Sequence, residues 1–300
     1  MMEKKKILIL LMSCNQPLYL SEEQACRDTF LKDAEGAGLS YYFYKGLDET
    51  HTSPCIDNTT HTIYLDVNDG LGGTAKKTAL ALSVADNLDF DYLIKTNVST
   101  YLNINNIVKA LENWEGGEDL NIYGGRFLIN KASKNIPFPR GYFTVLSKRL
   151  VNEIFPYARN LSSLNAMPKT DDTLISLCLL YYMNKSLGED YTKKLMQVPS
   201  VVAWHDDIEE DPNFENALAI RCKDEKDKER TPDNMRKTHE LLKNNESLKL
   251  KYYMPATQFE TGYGIMTFQD YLKLNTLIDK TKELAEKITN KENTPPEYNE

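Results

Sequence analysis

Short apolar runs and amphipathic stretches take turns along the first half of the chain. Lys6 to Met12 carries six consecutive apolar residues, Ile7 to Met12. A run that short suits a strand buried on both faces. Leu39 to Tyr44 is rich in aromatics and reads as a second strand, His61 to Val67 as a third, and Tyr92-Leu93-Ile94 as a fourth. Helical spacing fills the intervals. Ser21-Glu22-Glu23-Gln24 has the form of a capping box and opens a helix to about Glu35, closed by Gly36 and Gly38. Residues 46–60 are polar, contain Pro54 and read as a loop. Asp69 to Gly73 is a turn, and Thr74 to Ala85 a helix. After the fourth strand comes a polar turn from Lys95 to Thr100. The next helix has Ile104, Ile107, Val108 and Leu111 on one face, Asn103 at its N-cap and Gly116 at its stop. The order β-α-β-β-α-β-α predicts an α/β fold: a three-layer sandwich with a mainly parallel, mixed central sheet.

The pattern continues with a strand from Asn121 to Phe127, broken at Gly124-Gly125, and a loop from Ile136 to Gly141. Tyr142 to Leu146 is a strand, Ser147 caps a helix to about Tyr157, and Asn160 to Lys169 is a loop. Thr170 caps a helix from Asp171 to Met183, and Met196 to Ala203 is a further strand. From Lys223 the composition changes to a dense run of mixed charge. The spacing predicts one domain over 1–222 and a C-terminal helical extension over 223–289. That extension holds a helix from Pro232 to about Leu242, an aromatic, turn-rich stretch over 250–264 and an amphipathic helix from Phe268 to Ile288. The tail over 290–300 is expected to be disordered.

Composition narrows the function classes. The 300 residues are 41% hydrophobic, enough for a core, and the net charge of −8 argues against nucleic acid or an anionic membrane as partner. Ile7 to Met12 is shorter than the roughly 7–15 residues of a signal-peptide core, so it reads as a first strand; no stretch reaches the roughly 18 apolar residues of a membrane span. Five cysteines, widely spaced and without a CxxC, suit a reducing compartment, and a cytoplasmic location is expected. Ser13-Cys14-Asn15-Gln16-Pro17 follows the first strand without a glycine, which argues against a dinucleotide-dependent oxidoreductase.

The chemistry gathers at the end of the fourth strand. Lys95, Thr96, Asn97, Val98 and Ser99 lead from strand to helix, the corner at which open α/β sheets hold ligands. Several segments, taken in order, resemble the Fringe and β-1,3-galactosyltransferase family. Ala25-Cys26-Arg27-Asp28-Thr29-Phe30 resembles its "IRxTW" helix, and Asp69 followed by Lys77-Thr78 its "DSY…KT" segment. Tyr92 to Ser99 is similar to "KTDDDVF", with the later Asn103. Gly141 to Ser147 is similar to "GxGYVLS", and Asp171-Asp172-Thr173 to "EDV". The resemblance covers residues 7–205. A microbial and viral branch of that group, with "RTNxSSF" in place of the acidic triplet, is similar also through Ile220-Arg221-Cys222-Lys223, Arg230, Asp233 and Met235.

The resemblance implies a GT-A-type glycosyltransferase that inverts the anomeric carbon. Its substrates would be a nucleotide-sugar donor, most simply a UDP-sugar, and a glycan or glycoconjugate acceptor. Asp172 would be the catalytic base beside Asp171. Arg27, Asp69, Lys77, Lys95, Thr96, Asn97, Val98, Ser99, Arg221 and Lys223 would meet the donor. The main departure is chemical. Asn97, Val98 and Ser99 stand where the family has metal-binding aspartates. Mn²⁺ and Mg²⁺ favour charged oxygens, so a divalent metal is not expected to be required; Ser99 and His205 are the remaining weak ligand candidates. Cationic side chains would then meet the diphosphate. Asp171 and Asp172, at a helix N-terminus, are expected to be ionised. The missing aspartates also suit a non-catalytic, transferase-like protein that binds a nucleotide or glycan. The plainer alternatives are a strand-to-helix turn at 97–99, helix-start charges at 171–172 and a solvated charge at Arg27.

Overall fold

The computed structural model describes residues 4–112, 121–128, 138–163, 170–182, 195–197, 202–204, 217–223, 232–243, 254–255, 258–261 and 264–267. The chain order is β1 (Ile7–Met12), α1 (Pro17–Asp28), α2 (Phe30–Gly36), β2 (Ser40–Gly46), β3 (Cys55–Asp57), β4 (Thr62–Leu65), a 3₁₀ turn (Leu71–Gly73), α3 (Thr74–Ala85), β5 (Tyr92–Asn97), β6 (Thr100–Leu102) and α4 (Ile104–Glu112). Then follow β7 (Asn121–Leu128), β8 (Phe138–Ser147), α5 (Lys148–Ser163), α6 (Asp171–Tyr182), β9 (Leu195–Gln197), β10 (Val202–Trp204), β11 (Ala219–Arg221) and α7 (Pro232–Lys243). Last come β12 (Met254–Pro255), β13 (Gln258–Thr261) and β14 (Gly264–Thr267).

Among the described residues the main sheet has nine strands, in the order β12-β9-β7-β8-β5-β1-β2-β4-β3. Strands β5, β1, β2 and β4 form a parallel block, and β8 runs antiparallel to both β5 and β7. Alternate residues of β1 divide between the two faces. Leu8 and Leu10 join one apolar layer with residues of α3, α5 and α6; Ile7, Ile9 and Leu11 join another with residues of α1, α2, α4 and α7. Both faces of the block are covered, so its strands read as unbroken apolar runs. A small sheet, β10-β11-β6, stands beside the C-terminal end of β5.

Several boundaries differ from the sequence expectation. Pro17, not Ser21, opens α1: its fixed φ suits the first helical position, and the Ser21 hydroxyl bonds back to the Pro17 carbonyl at 3.1 Å. The helix is interrupted at Thr29, whose hydroxyl bonds the Ala25 carbonyl at 2.7 Å. The loop over 46–60 contains β3, which pairs antiparallel with β4 across a turn where His61 takes a positive φ of 49°. The turn expected at 95–100 is mostly strand, with β5 continuing to Asn97 and β6 starting at Thr100. Strand β8 takes in residues 138–141 of the expected loop. Helix α5 runs past Pro156, because Leu150, Val151, Ile154, Ala158 and Leu161 keep one face in the apolar layer. Residues 196–203 belong to two strands, β9 and β10. The C-terminal extension is not wholly helical: β12 pairs with β9 at the sheet edge, and β13 and β14 form a hairpin. Helix α7 docks on α1, with Arg236 2.9 Å from Asp28 and Met235 and Leu242 in the apolar layer. Gly116, the expected helix over 268–288 and the tail lie outside the described residues.

Candidate functional site

The C-terminal ends of β5, β1, β2 and β4 lie side by side, and Met12 of β1 is in register with Asn97 of β5. Two polar clusters sit along this edge.

The first joins β5, β8 and α6. Period-2 alternation sends Lys95 to the same face as Leu93, toward α6. Lys95 is 1% exposed, and its ammonium donates to the Gly141 carbonyl at 2.8 Å and pairs with the Asp171 carboxylate. Asp172 Oδ1 is 3.9 Å away. The adjacent Thr96 hydroxyl donates to the Tyr142 carbonyl at 2.6 Å. Segments 95–96, 141–142 and 171–172, distant in sequence, thus meet at one point.

The two carboxylates have different roles open to them. Asp171 is 8% exposed and committed to Lys95; Asp172 is 24% exposed. Burial raises the Asp172 carboxyl above its ordinary value, opposed by Lys95, by a hydrogen bond from the Gly141 backbone and by Arg221. Desolvation therefore acts on Asp172 against the helix N-terminus, which favours the ionised form. Burial also pulls the Lys95 ammonium down to about 8, with Asp172 acting against it and Arg221 with it. Gly141 is fixed by the same contact, since a Cβ there would overlap the Asp172 carboxylate.

At the tip of β5, Asn97 Oδ1 accepts from the Arg221 guanidinium, from Ser99 Oγ at 3.1 Å and from Thr100 Oγ1 at 3.0 Å. Arg221 closes β11, in register with Thr100, donates to Thr100 Oγ1 at 3.2 Å and lies 5.7 Å from the centre of the Tyr142 ring. Ser99 is buried, and its carbonyl accepts from the Cys222 N–H. Val98, expected to meet the donor, has its side chain wholly in the apolar layer.

The second cluster joins β1, β2 and α3. Asp69 accepts from the Gly46 N–H at 2.8 Å and the Asn15 N–H at 2.9 Å, and pairs with Lys77 at 2.5 Å. Lys77 also donates to the Ser13 carbonyl at 2.8 Å. Expected as a donor cation, Lys77 is instead buried against a carboxylate, and Asp69 fastens the loops after β1 and β2 together. Lys45 and Glu23, both buried, pair at 3.1 Å, and Ser13 Oγ donates to Glu23 at 2.5 Å. Nothing in the sequence pattern marks this pair: Lys45 is a lone lysine at the end of an aromatic strand, and Glu23 reads only as part of a capping motif.

Arg27 lies apart from both clusters, with its guanidinium on the Thr60 carbonyl at 2.5 Å and 4.5 Å from the centre of the Phe43 ring. It sits at the C-terminal end of α1, which leads back from this edge. Lys223 follows Arg221 by two residues and is half-buried. His205 and Arg230 lie outside the described residues. The residues present at the strand tip do not fit a divalent metal. The one amide oxygen there already faces three donors including a guanidinium, and among the described residues no group of three His, Cys, Asp or Glu side chains could hold an ion.

No protein-family model and no curated protein matches the chain. Among solved structures it is similar to a glycosyltransferase involved in the glycosylation of the major capsid of PBCV-1, at 10% identity and a TM-score of 0.41, over 77% of this chain and 99% of that one. It is similar also to the galactosyltransferase LgtC in complex with donor and acceptor sugar analogs, at 9% identity and a TM-score of 0.43, over 81% of this chain and 97% of that one.

Proposed function

We propose that the chain is a GT-A-type glycosyltransferase that moves a sugar from a nucleotide-sugar donor, most simply a UDP-sugar, to a hydroxyl of a glycan or glycoconjugate, with inversion and without a required metal. The observation that carries this is the junction of Lys95, Gly141 and Asp171-Asp172 at the C-terminal edge of the parallel block. Three of the segments that resemble one transferase family, far apart in the chain, are in contact there. The division of labour within the acidic pair supports it further. Asp171 holds Lys95, while Asp172 is the more open of the two and has a raised pKa, which makes it a stronger base than an ordinary carboxylate. In this reading Asp172 takes the proton of the acceptor hydroxyl as that oxygen attacks the anomeric carbon. The nucleoside diphosphate leaves from the opposite face. The stretch beyond 222 would cover the donor or shape the acceptor cleft, as an extension of a 1–222 domain.

A thermal-shift panel of nucleotides and nucleotide sugars, with chelator or Mn²⁺, names the donor, because a ligand that binds only the folded state raises the melting temperature. Proton NMR of the product then reads the anomeric configuration. Stabilisation by one nucleotide series and an inverted product support the proposal. A retained configuration removes inversion, and no stabilisation by any nucleotide removes the donor assignment.

A second reading, a non-catalytic nucleotide- or glycan-binding protein, is favoured by one observation: the triplet at 97–99 holds no carboxylate. Nucleotide binding without transfer or donor hydrolysis would select it.

A further inference from the structure

Helix α7 is held to the fold by polar contacts as well as by its apolar face. Arg236 reaches the Asp28 carboxylate, at the end of α1, at 2.9 Å. Further along, His239 meets two elements at once. Its Nδ1 lies 3.1 Å from the Tyr101 hydroxyl on β6 and 3.8 Å from a carboxylate oxygen of Asp33 on α2. Tyr101 is 4% exposed, and its ring stands edge-on to Phe30 of α2, 5.5 Å between centres. The neighbouring Thr238 hydroxyl is 3.8 Å from Sγ of Cys222, the residue after β11. Strand β6 pairs with β11, and Thr100, which starts β6, bonds the Asn97 oxygen at the tip of β5. Helix α7 therefore bears on the small sheet beside the strand-tip cluster.

The Nδ1 atom has two exclusive uses. Burial pushes the Tyr101 phenol up, so the phenol keeps its proton at any working pH, and a neutral imidazole can accept it at Nδ1. A protonated ring carries a hydrogen there and can no longer accept. The buried phenol then loses its acceptor, a cost in itself, and the charged ring is drawn to the more open Asp33.

We propose that His239 is an acid-sensitive latch: neutral, it fastens α7 to β6 through Tyr101; protonated, it exchanges Tyr101 for Asp33 and loosens α7 from the small sheet. The proposal goes beyond the transferase reading and does not rest on it. The groups around the ring set the direction. Burial is the largest influence and pushes the imidazole below its ordinary value; Lys243 on α7 and Lys32 on α2 act the same way, and Asp33 on α2 and Glu240 on α7 oppose them. The docked helix thus favours the neutral ring. Its contribution to docking is full above the ordinary histidine value of about 6.5 and is lost as the pH falls through the lowered value. The tie to α1 does not follow. The hydrogen bond from Arg236 holds the Asp28 carboxyl below its ordinary value, so that pair persists where His239 lets go.

The test is hydrogen–deuterium exchange of the full chain and of His239→Asn at about pH 7.5 and about pH 5, on either side of the ordinary histidine value and above that of Asp and Glu. Exchange is corrected for its intrinsic pH dependence and compared between α7 and α3, since protection reports local opening. Asparagine offers an acceptor close to the ring's Nδ1 position and cannot be protonated in this range. NMR of the histidine rings follows the titration, with the His239 signal identified by its loss in the variant. In the wild type His239 should titrate below its ordinary value, and α7 should lose protection severalfold at the lower pH while α3 keeps its own. In His239→Asn the protection of α7 should be the same at both pH values. Equal α7 protection at both pH values in the wild type, an equal acid loss in His239→Asn, a loss shared by α3, or a His239 titration at or above the ordinary value would each overturn the proposal. The wild-type measurements decide it even where the variant fails to fold.

Discussion

Asp171 and Asp172 are neighbours in sequence, yet the structure gives them different environments, and substitution should separate them. Asp171→Asn removes the partner of an ammonium that is 1% exposed. Leaving a buried charge uncompensated costs about 3–5 kcal/mol, so this variant should show a large drop in melting temperature. Asp172→Asn removes a more open carboxylate that faces Lys95 at 3.9 Å. It should melt close to the wild type while kcat falls by about 10²–10⁴-fold, the usual contribution of a general base. Melting curves and initial rates on the two variants decide this; equal stability losses would mean that both acids are structural. The pH dependence follows from the same cluster. Asp172 acts only when ionised and its pKa is raised, so the acid limb of kcat should lie above the ordinary carboxylate value of about 4. Lys95 loses its proton as pH rises through about 8, which removes the charge that holds Asp171, so the rate should fall again on the alkaline side. A profile whose acid limb lies at or below the ordinary carboxylate value and that shows no fall through pH 8 would contradict both assignments.

Strand β8 and helix α6 meet at Gly141, and the glycine there is a packing requirement. A Cβ on β8 would overlap the Asp172 carboxylate at the start of α6. Gly141→Ala should therefore displace α6 or the side chain, lowering stability by about 1–3 kcal/mol and activity with it. Unfolding midpoints beside rates test this, and a fully active, fully stable variant would show that the two elements are not packed so closely. This junction also shows what was legible beforehand. Strand and helix periods located β1, β2, β4, α3 and α6 within a residue or two, because each is a strong apolar pattern, and found the start of β5 but not its last three residues. The strand-tip corner was visible as a cluster of small polar residues after an apolar strand. What was not legible depends on partners remote in sequence. Lys77 reads as a free cation until Asp69 is seen beside it, and Val98 as part of a polar turn until its side chain is seen in the apolar layer. Lys45 and Glu23 gave no pattern at all, since a buried ion pair has no period. Short edge strands such as β3 are defined by the neighbour they pair with and not by their own residues.

The whole molecule follows one arrangement. A parallel block sorts its side chains to two apolar layers, leaving the polar chemistry to the ends of its strands. Along that edge, one cluster is closed by internal ion pairs, at Asp69–Lys77 and Glu23–Lys45, and fixes the loops after β1 and β2. The other combines a carboxylate of raised pKa with a fixed guanidinium at the tip of β5. The first ties loops together, and on the proposed reading the second would supply the base that sugar transfer from a nucleotide sugar needs. The −8 net charge makes the surface poor for polyanions, so on the proposed reading a nucleotide donor would be met by local groups rather than by the overall field. The most direct test of the central claim is release of nucleoside diphosphate from a panel of nucleotide sugars, measured in EDTA with the wild type and Asp172→Asn. The expected result is release from one donor by the wild type, lost in Asp172→Asn. No release from any donor, with EDTA or with Mn²⁺ and in the presence of glycan acceptors, would contradict the assignment of this chain as a glycosyltransferase.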